Sequence, residues 1–469
     1  MRALAIDQGT TSTRALLVDD EGIRQIHAIE HRQFYPAANH VEHDAEELVK
    51  NLQACLAAAP EVDCVGLANQ GESCLAWDAA TGKAITPVIV WQDARTTDIC
   101  ERLKSEGKEA LTLSRAGLPL DPYFSGSKLG WILANVPEAR GLLAAKRLRL
   151  GTTDAFFRDR LTGVFATDPS TASRTSLLNL TTGHWDADLC RLFGVPPEAL
   201  PEIRPTTGDL GVLPGGRELT ASMVDQQAAL YGHGARKPGD SKITFGTGAF
   251  ALCLTGALMS VPGVLPTIAW AESGKRPVYA LDGGVYAASS AVNWARQLGL
   301  FTRFDDINHF DAAPAITRGL AFVPSLAGLA CPHWDRSAKG AWMGLALDTK
   351  PIDLAQAVLE GVAFRMLEVM DAMANAAPGS APIGIDGGMS RNPWFCQFLA
   401  DVLSRPLRIS DEPELTALGC GQLAATGAGG AIERSLSGRL LEPRAVPREW
   451  YETFRSARLA VQSYRPANP

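Results

Sequence analysis

The residues able to do chemistry sit at a few short polar breaks between apolar runs. Leu4 to Ile6 form an apolar run that stops at Asp7. Gly9, Thr10, Thr11, Ser12, Thr13 and Arg14 follow, and a second apolar run spans Ala15 to Val18. The pattern reads as two strands joined by a turn that carries hydroxyls, one carboxylate and one guanidinium. Two chemistries fit it: a polar hairpin turn, or a phosphate cradle with an acid placed for a metal ion. "FGTGAF" (245–250) repeats a Gly-Thr turn between two strand-like runs. "IDGGMSRN" (385–392) places two glycines between a strand and a helix. In "MVDQQAAL" (223–230), Asp225 ends a short strand and precedes an apolar helix, the position of an N-cap. Each of these is a common turn when taken alone.

These breaks need a scaffold, and the chain is long enough to build one. Its 469 residues imply two to four domains, and 46% hydrophobic with 20% charged residues is ordinary for a soluble globular protein. The net charge of -7, with no basic face or tail, argues against a nucleic-acid partner. Arg434, Arg439, Arg444, Arg448, Arg455 and Arg458 alternate with Glu and apolar residues and read as a solvated helix face. The nine cysteines are scattered without a Cys-x-x-Cys and read as reduced core thiols. With no signal peptide and no membrane-length apolar run, the expected setting is cytoplasmic, without a membrane. His40 and His43 are close, but "VEHDAEEL" reads as a helix start with Asp44 as its cap.

Strand-like and helix-like segments alternate along the chain, which indicates an α/β fold. Strands are expected over 64–70, 87–96 and on both sides of the Gly-Thr turn in 241–256. Helices are expected over 96–107 and 351–376, and strand, glycine turn and helix over 381–403. The glycine- and proline-rich stretch "YGHGARKPGD" marks a boundary that separates domains 1–235 and 236–469. Each half opens with a Gly-Thr hairpin, consistent with a weak duplication.

"DQGTTSTRALLVD", "YFSGSKLGWIL", "MVDQQAAL", "FGTGAF", "GAWMGLALDTKPIDLAQAVLE" and "GIDGGMSRNPWF" occur in this order. The series resembles the FGGY family of carbohydrate kinases, with the glycerol kinases nearest, over almost the whole chain. The resemblance implies two actin-like (ribonuclease-H-like) ATPase domains flanking a catalytic cleft, ATP and Mg2+ as cofactors, and transfer of the γ-phosphate to a hydroxyl of a small polyol or sugar. It implies that Thr10, Thr11 and Arg14 face phosphate, with Asp7 and Asp225 near magnesium through water. Gly246, Thr247, Gly387, Gly388, Met389 and Asn392 fall at the family's nucleotide positions. Ser289 and Asn293 in "AASSAVNW" stand where glycerol kinases tend to have Gly and Gln. Asp225 is implied as the catalytic base and Gln226 as a holder of a substrate hydroxyl. The family also admits a homodimer.

The acceptor pocket departs from that pattern. Glycerol kinases carry Asn-Gln-Arg-Glu after the strand; this chain has Asn69, Gln70, Gly71 and Glu72. Trp91, Tyr123 and Phe250 stay at matching positions. Losing a long cation leaves room and removes donors, so a larger polyol or a ketose is expected. A site built for hydrogen bonds discriminates strongly against a ligand that leaves its groups unpaired. The alternative is a true glycerol kinase in which a nearby arginine such as Arg95 compensates. A nucleotide- or sugar-binding sensor without catalysis, an actin-like nucleotide switch and a glycoside hydrolase using Glu72 and Asp225 are the other readings. A sensor of this kind lacks its DNA-reading module here, a switch its extension, and a hydrolase leaves the Gly-Thr turns unexplained.

Overall fold

The computed structural model describes residues 1–374, 376–379, 381–434 and 436–464. The chain forms two compact units. One comprises Met1–Gly234, Thr267–Tyr279 and Glu414–Ser435; the other comprises Ala235–Pro266, Ala280–Pro413 and Leu436–Pro469. The first change of unit falls inside the glycine- and proline-rich stretch. Two later segments return to the first unit.

In the first unit the strand Ala3–Gln8 is buried along its whole length, which is why its sequence shows no alternation. It pairs antiparallel with Ser12–Val18 and parallel with Cys64–Asn69, which is itself parallel to Arg217–Val224. Leu4, Ile6, Leu17, Leu67, Trp77 and Phe156 are among its core residues. The register sets Gln8, Asn69 and Val224 at one level. Gly9 to Thr11, Gln70 to Glu72, and Asp225 therefore all leave the sheet at its carboxyl edge, where open α/β sheets bind ligands. The helix that begins at Asp225 is gripped from behind by the helix Leu415–Gly427. A Cβ on Gly419 would collide with the Ala228 carbonyl, so only glycine lets the two backbones touch.

In the second unit Ser241–Phe245 pairs antiparallel with Ala249–Thr255 and parallel with Ile383–Gly387, which is parallel to Leu407–Ser410. This repeats the wiring of the four central strands of the first unit. The long helix Pro351–Ala374 buries Val358, Val362 and Val369 against the sheet core, and Pro351 occupies its first turn.

Most expected elements form, with instructive differences. The strand expected over 87–96 shrinks to Val88–Ile89. Beyond it Asp93 accepts the Val41 N–H and pairs with Arg95, which turns the chain. Asp44 caps its helix as expected, accepting the N–H groups of Glu46 and Glu47. In the last helix Arg448 and Arg455 face outward beside Glu452, but Arg458 is buried and paired with Glu368. All nine cysteines are buried and free. No helix among the described residues is long and apolar enough to cross a membrane.

Candidate active site

Asp7 is the last residue but one of its strand and is opposite Arg14 in the hairpin register. Arg14 Nη2 lies 2.5 Å from Asp7 Oδ2, and Nη1 lies 2.7 Å from Glu414 Oε2, at the start of the returning helix. Burial works against the charge of Arg14, but the two carboxylates outweigh it and hold its pKa above the ordinary guanidinium value. The arginine is fixed at the sheet edge rather than waving in solvent. Thr11 is exposed on the turn. Thr10 is half-buried, and its Oγ1 accepts the indole N–H of Trp91 at 3.1 Å. The turn expected to face phosphate and a residue expected to line the acceptor pocket are thus joined by a direct hydrogen bond.

Several of the residues expected to bind the acceptor lie at or near the neighbouring strand end. The Ser73 N–H donates to the Gly71 carbonyl at 2.6 Å, closing a three-residue turn in which Glu72 has φ 58°. A non-glycine in this region is strained, and such strain concentrates at functional sites. Glu72 is buried. Trp91 meets Tyr123 edge to face at 5.8 Å. Asp225 is the first residue of its helix, after Val224 as cap, so it is not itself the N-cap; its Oδ1 accepts the Gln226 N–H at 2.6 Å. The helix N-terminus favours its negative charge.

One expected substrate residue is taken up by an interior hydrogen-bond network. Gln70 is 1% exposed, and its amide is taken up by Gln8, His43 and the Ser73 hydroxyl. It follows the parallel strand end directly, and its side chain is held in the interior. Arg95, the expected substitute for the cation missing at Gly71, is already engaged. It is held by Asp93 and Glu42 and stacks on Trp131 at 4.8 Å.

Two residues of the site escaped sequence reasoning. Lys128 is fully buried and donates Nζ to the carbonyls of Val90, Trp91 and Tyr123 at 3.1, 3.4 and 3.1 Å. Burial lowers its pKa, partly offset by nearby carboxylates. It ties the Trp91 loop to the Tyr123 loop; a lysine on the otherwise buried start of the "SGSKLGW" helix was the available signal. Arg174 donates Nε to Glu72 Oε1 at 2.6 Å, and its guanidinium lies 5.9 Å from the Tyr123 ring. A lone cation in a run of Ser and Thr was its only mark.

In the second unit the Gly246–Thr247 turn is clamped by the start of helix Ser289–Gln297. The N–H groups of Ala288 and Ser290 donate to the Thr247 carbonyl at 3.0 and 3.1 Å, and Ser289 N–H donates to the Gly246 carbonyl at 3.2 Å. Gly387 has φ 89°, and a Cβ there would lie 2.6 Å from the Phe245 carbonyl carbon, so the third glycine break backs directly onto this turn. Beside them opens a cavity of about 480 Å³, lined by Ser289, Asn293, Gly388, Met389 and Asn392 together with Val292, Phe304 and Ile307. The Ser289 hydroxyl is buried there without a partner among the described residues. An unsatisfied buried hydroxyl costs ~1–3 kcal/mol, which a ligand would recover. Asn293 is exposed and Met389 is buried. Asn392 differs from expectation. Its Oδ1 caps the next helix through Phe395 N–H, and its Nδ2 donates to the Ile307 carbonyl, both at 2.8 Å, so the amide holds the wall of the cavity. Phe250 lies in this unit, on the strand after the Gly-Thr turn, against Gly284.

Comparison with known proteins matches residues 2–223 to the N-terminal domain, and residues 241–428 to the C-terminal domain, of the FGGY family of carbohydrate kinases. The chain is 43% identical over 447 residues to a glycerol kinase of Thermus brockianus, covering 91% of this chain and 90% of that protein. It is 40% identical over 449 residues to a glycerol kinase of Rhodopseudomonas palustris, covering 91% and 90%. Among solved structures, Plasmodium falciparum glycerol kinase with ADP is similar at TM-score 0.89 and 26% identity, covering 98% of this chain and 97% of that one. A ligand-bound xylulose kinase of Lactobacillus acidophilus shares the fold at TM-score 0.87 and 21% identity, covering 98% of each.

Proposed function

The chain belongs to the FGGY family of carbohydrate kinases and is an ATP-dependent phosphotransferase acting on a hydroxyl group; from that premise we propose that its acceptor, a small polyol or sugar, binds at the carboxyl edge of the first unit's sheet with Asp225 as general base. The observation that carries this reading is the strand register. It brings Asp7, the Gly71–Glu72 turn and Asp225 out at the ends of three adjacent strands, about 10 Å across from first to last.

ATP with magnesium supplies the phosphoryl group and the countercharge. The chain's residues fit both. In the second unit, bare backbone at Gly388, apolar Val292 and Phe304, and the unpaired Ser289 hydroxyl suit a nucleoside. Asp7 and Asp225 are the carboxylates to hold a small hard cation, through water. Glu72, Tyr123, Trp91 and Gln226 orient the acceptor. Asp225 takes the proton of the attacking hydroxyl, which leaves late in a loose transition state, so position matters more than basicity. Arg14, fixed by Asp7 and Glu414, meets the charge of the transferring group. The buried, reduced thiols support a cytoplasmic setting.

The test is ADP release with MgATP across glycerol, erythritol, threitol, xylitol, ribitol, arabitol, dihydroxyacetone, erythrulose, xylulose and ribulose, with Asp225→Asn alongside. One acceptor standing out, and losing its effect in Asp225→Asn, is the expected result. Glycerol is the second reading, favoured by the relatives named glycerol kinase. ADP release that no acceptor stimulates would overturn both.

A further inference from the structure

We propose that Arg174 selects the acceptor, donating to one of its hydroxyls from beside Glu72, and that the space over Gly71 admits a chain longer than three carbons. The inference rests on the acceptor site proposed above.

Three cations are buried around this strand end, and of these Arg174 is the one bonded to the carboxylate of the acceptor set. Arg95 is held by Asp93 and Glu42. The Lys128 ammonium is aimed at three backbone carbonyls. Arg174 reaches Glu72, and its guanidinium lies 5.9 Å from the Tyr123 ring and 5.5 Å from that of Phe124. The Arg174 and Glu72 side chains are 4% and 6% exposed. Burying both charges is costly, and hydrophobic replacements of such pairs are often as stable, so a buried pair is weak evidence for stability alone. Side by side, a guanidinium and a carboxylate offer a donor and an acceptor a hydrogen bond's length apart. Two adjacent hydroxyls of a polyol or ketose match that pair: one accepts from an Arg174 N–H, and the other donates to Glu72.

Gly71 explains which acceptors fit. A Cβ there would meet Val224 Cγ1 at 3.2 Å and Arg174 Cγ at 3.9 Å. The ground over Gly71 is thus bordered by the stem of Arg174 on one side and by the residue before Asp225 on the other. A side chain at position 71 would fill it. The corner is close-packed at Cβ range, so glycine leaves Arg174 in place beside Glu72, and the further carbons of the acceptor take the room beyond it that a long side chain at position 71 would claim.

Steady-state kinetics on the full chain test this with glycerol, erythritol and xylitol as acceptors. Variants are Arg174→Met, Arg174→Lys and Gly71→Ser. Wild type is expected to favour erythritol or xylitol over glycerol. Arg174→Met is expected to raise the acceptor KM about 10- to 100-fold, the loss of a charged hydrogen bond, with the KM for MgATP within twofold. Arg174→Lys, which keeps the charge, recovers part of it and gives a second folded protein if the methionine variant fails to fold. Gly71→Ser is expected to penalise xylitol more than glycerol. A wild type inert to every acceptor refutes the acceptor site and this inference with it. An active wild type whose Arg174 variants keep the acceptor KM, or lose acceptor and ATP affinity equally, overturns the Arg174 assignment alone. A wild type that prefers glycerol, or a Gly71→Ser variant with unchanged rank order, overturns the chain-length claim.

Discussion

Adjacent glycines in the second unit should respond in opposite ways to the same methyl group. Gly387 sits at φ 89°, and its added Cβ would lie 2.6 Å from the Phe245 carbonyl carbon and 2.9 Å from the Phe245 nitrogen. The left-handed backbone costs an alanine ~1–2 kcal/mol. Driving a methyl into a paired strand adds ~1–3 kcal/mol of overpacking. Gly387→Ala should therefore destabilise by roughly 2–5 kcal/mol, or about 4–20 °C in Tm at ~2–4 °C per kcal/mol. It should also weaken ADP binding, because Phe245 leads directly into the Gly246–Thr247 turn. Gly388 is different: its φ is not left-handed, and the nearest atom to an added Cβ is Ser289 Oγ at 3.9 Å. Gly388→Ala should leave Tm within about 1–2 °C, an effect under ~0.5 kcal/mol at a site without strain. Its methyl projects into the cavity where the nucleoside is proposed to lie against bare backbone. ADP affinity should fall about tenfold, the cost of ~1.4 kcal/mol of lost contact. Differential scanning calorimetry and isothermal titration of MgADP measure both quantities. A wild-type Tm in Gly387→Ala, or wild-type ADP affinity in Gly388→Ala, would refute this assignment of the two glycines.

Other positions give sharp expectations. Glu414→Gln removes one of the two carboxylates that fix Arg14; as a half-exposed pair it is worth ~0.2–1 kcal/mol, so kcat should fall by less than tenfold with Tm nearly unchanged, and an unaltered kcat would remove Glu414 from the account. His43 is buried beside His31, and its pKa is pushed down to about 3, chiefly by burial and then by the charge of His31. The folded state therefore binds fewer protons than the unfolded chain below pH ~6.5. Stability is full above that pH and is lost as pH falls toward 3, at up to ~1.4 kcal/mol per pH unit; thermal melts at pH 7, 6 and 5 should decline more steeply for wild type than for His43→Asn. Trp91→Phe keeps the ring against Tyr123 but loses the bond to Thr10, and should raise the acceptor KM and the MgATP KM together, read from initial rates at varied concentrations of each.

What was legible in the sequence was local. The hairpin at Asp7 and its repeat at Phe245 were visible because glycine and threonine interrupt apolar runs, and Asp44 announced its helix because a cap acts within three residues. What escaped depends on partners far along the chain. Arg174 meets Glu72 across 102 positions and Arg14 meets Glu414 across 400, and no spacing rule connects them. Gln70 and Asn392 stand in the right motifs, but the turn that presents the motif directs Gln70 inward and uses Asn392 as a cap. The return of Glu414–Ser435 to the first unit was equally hidden, since the helix Leu415–Gly427 shows little amphipathic pattern and is buried by close glycine contacts rather than by an apolar stripe.

The central claim is transfer to an acceptor hydroxyl by a site organised around Asp225. The most direct measurement is phosphorus NMR of the reaction of wild type and Asp225→Asn with MgATP and the best acceptor. One phosphate ester of the acceptor is expected for each ADP formed by wild type. A rate lower by about 10²–10⁴ is expected in Asp225→Asn, the range for losing a general base, with ADP affinity retained. ADP accompanied only by inorganic phosphate, or ester formation at the wild-type rate in Asp225→Asn, would contradict the claim.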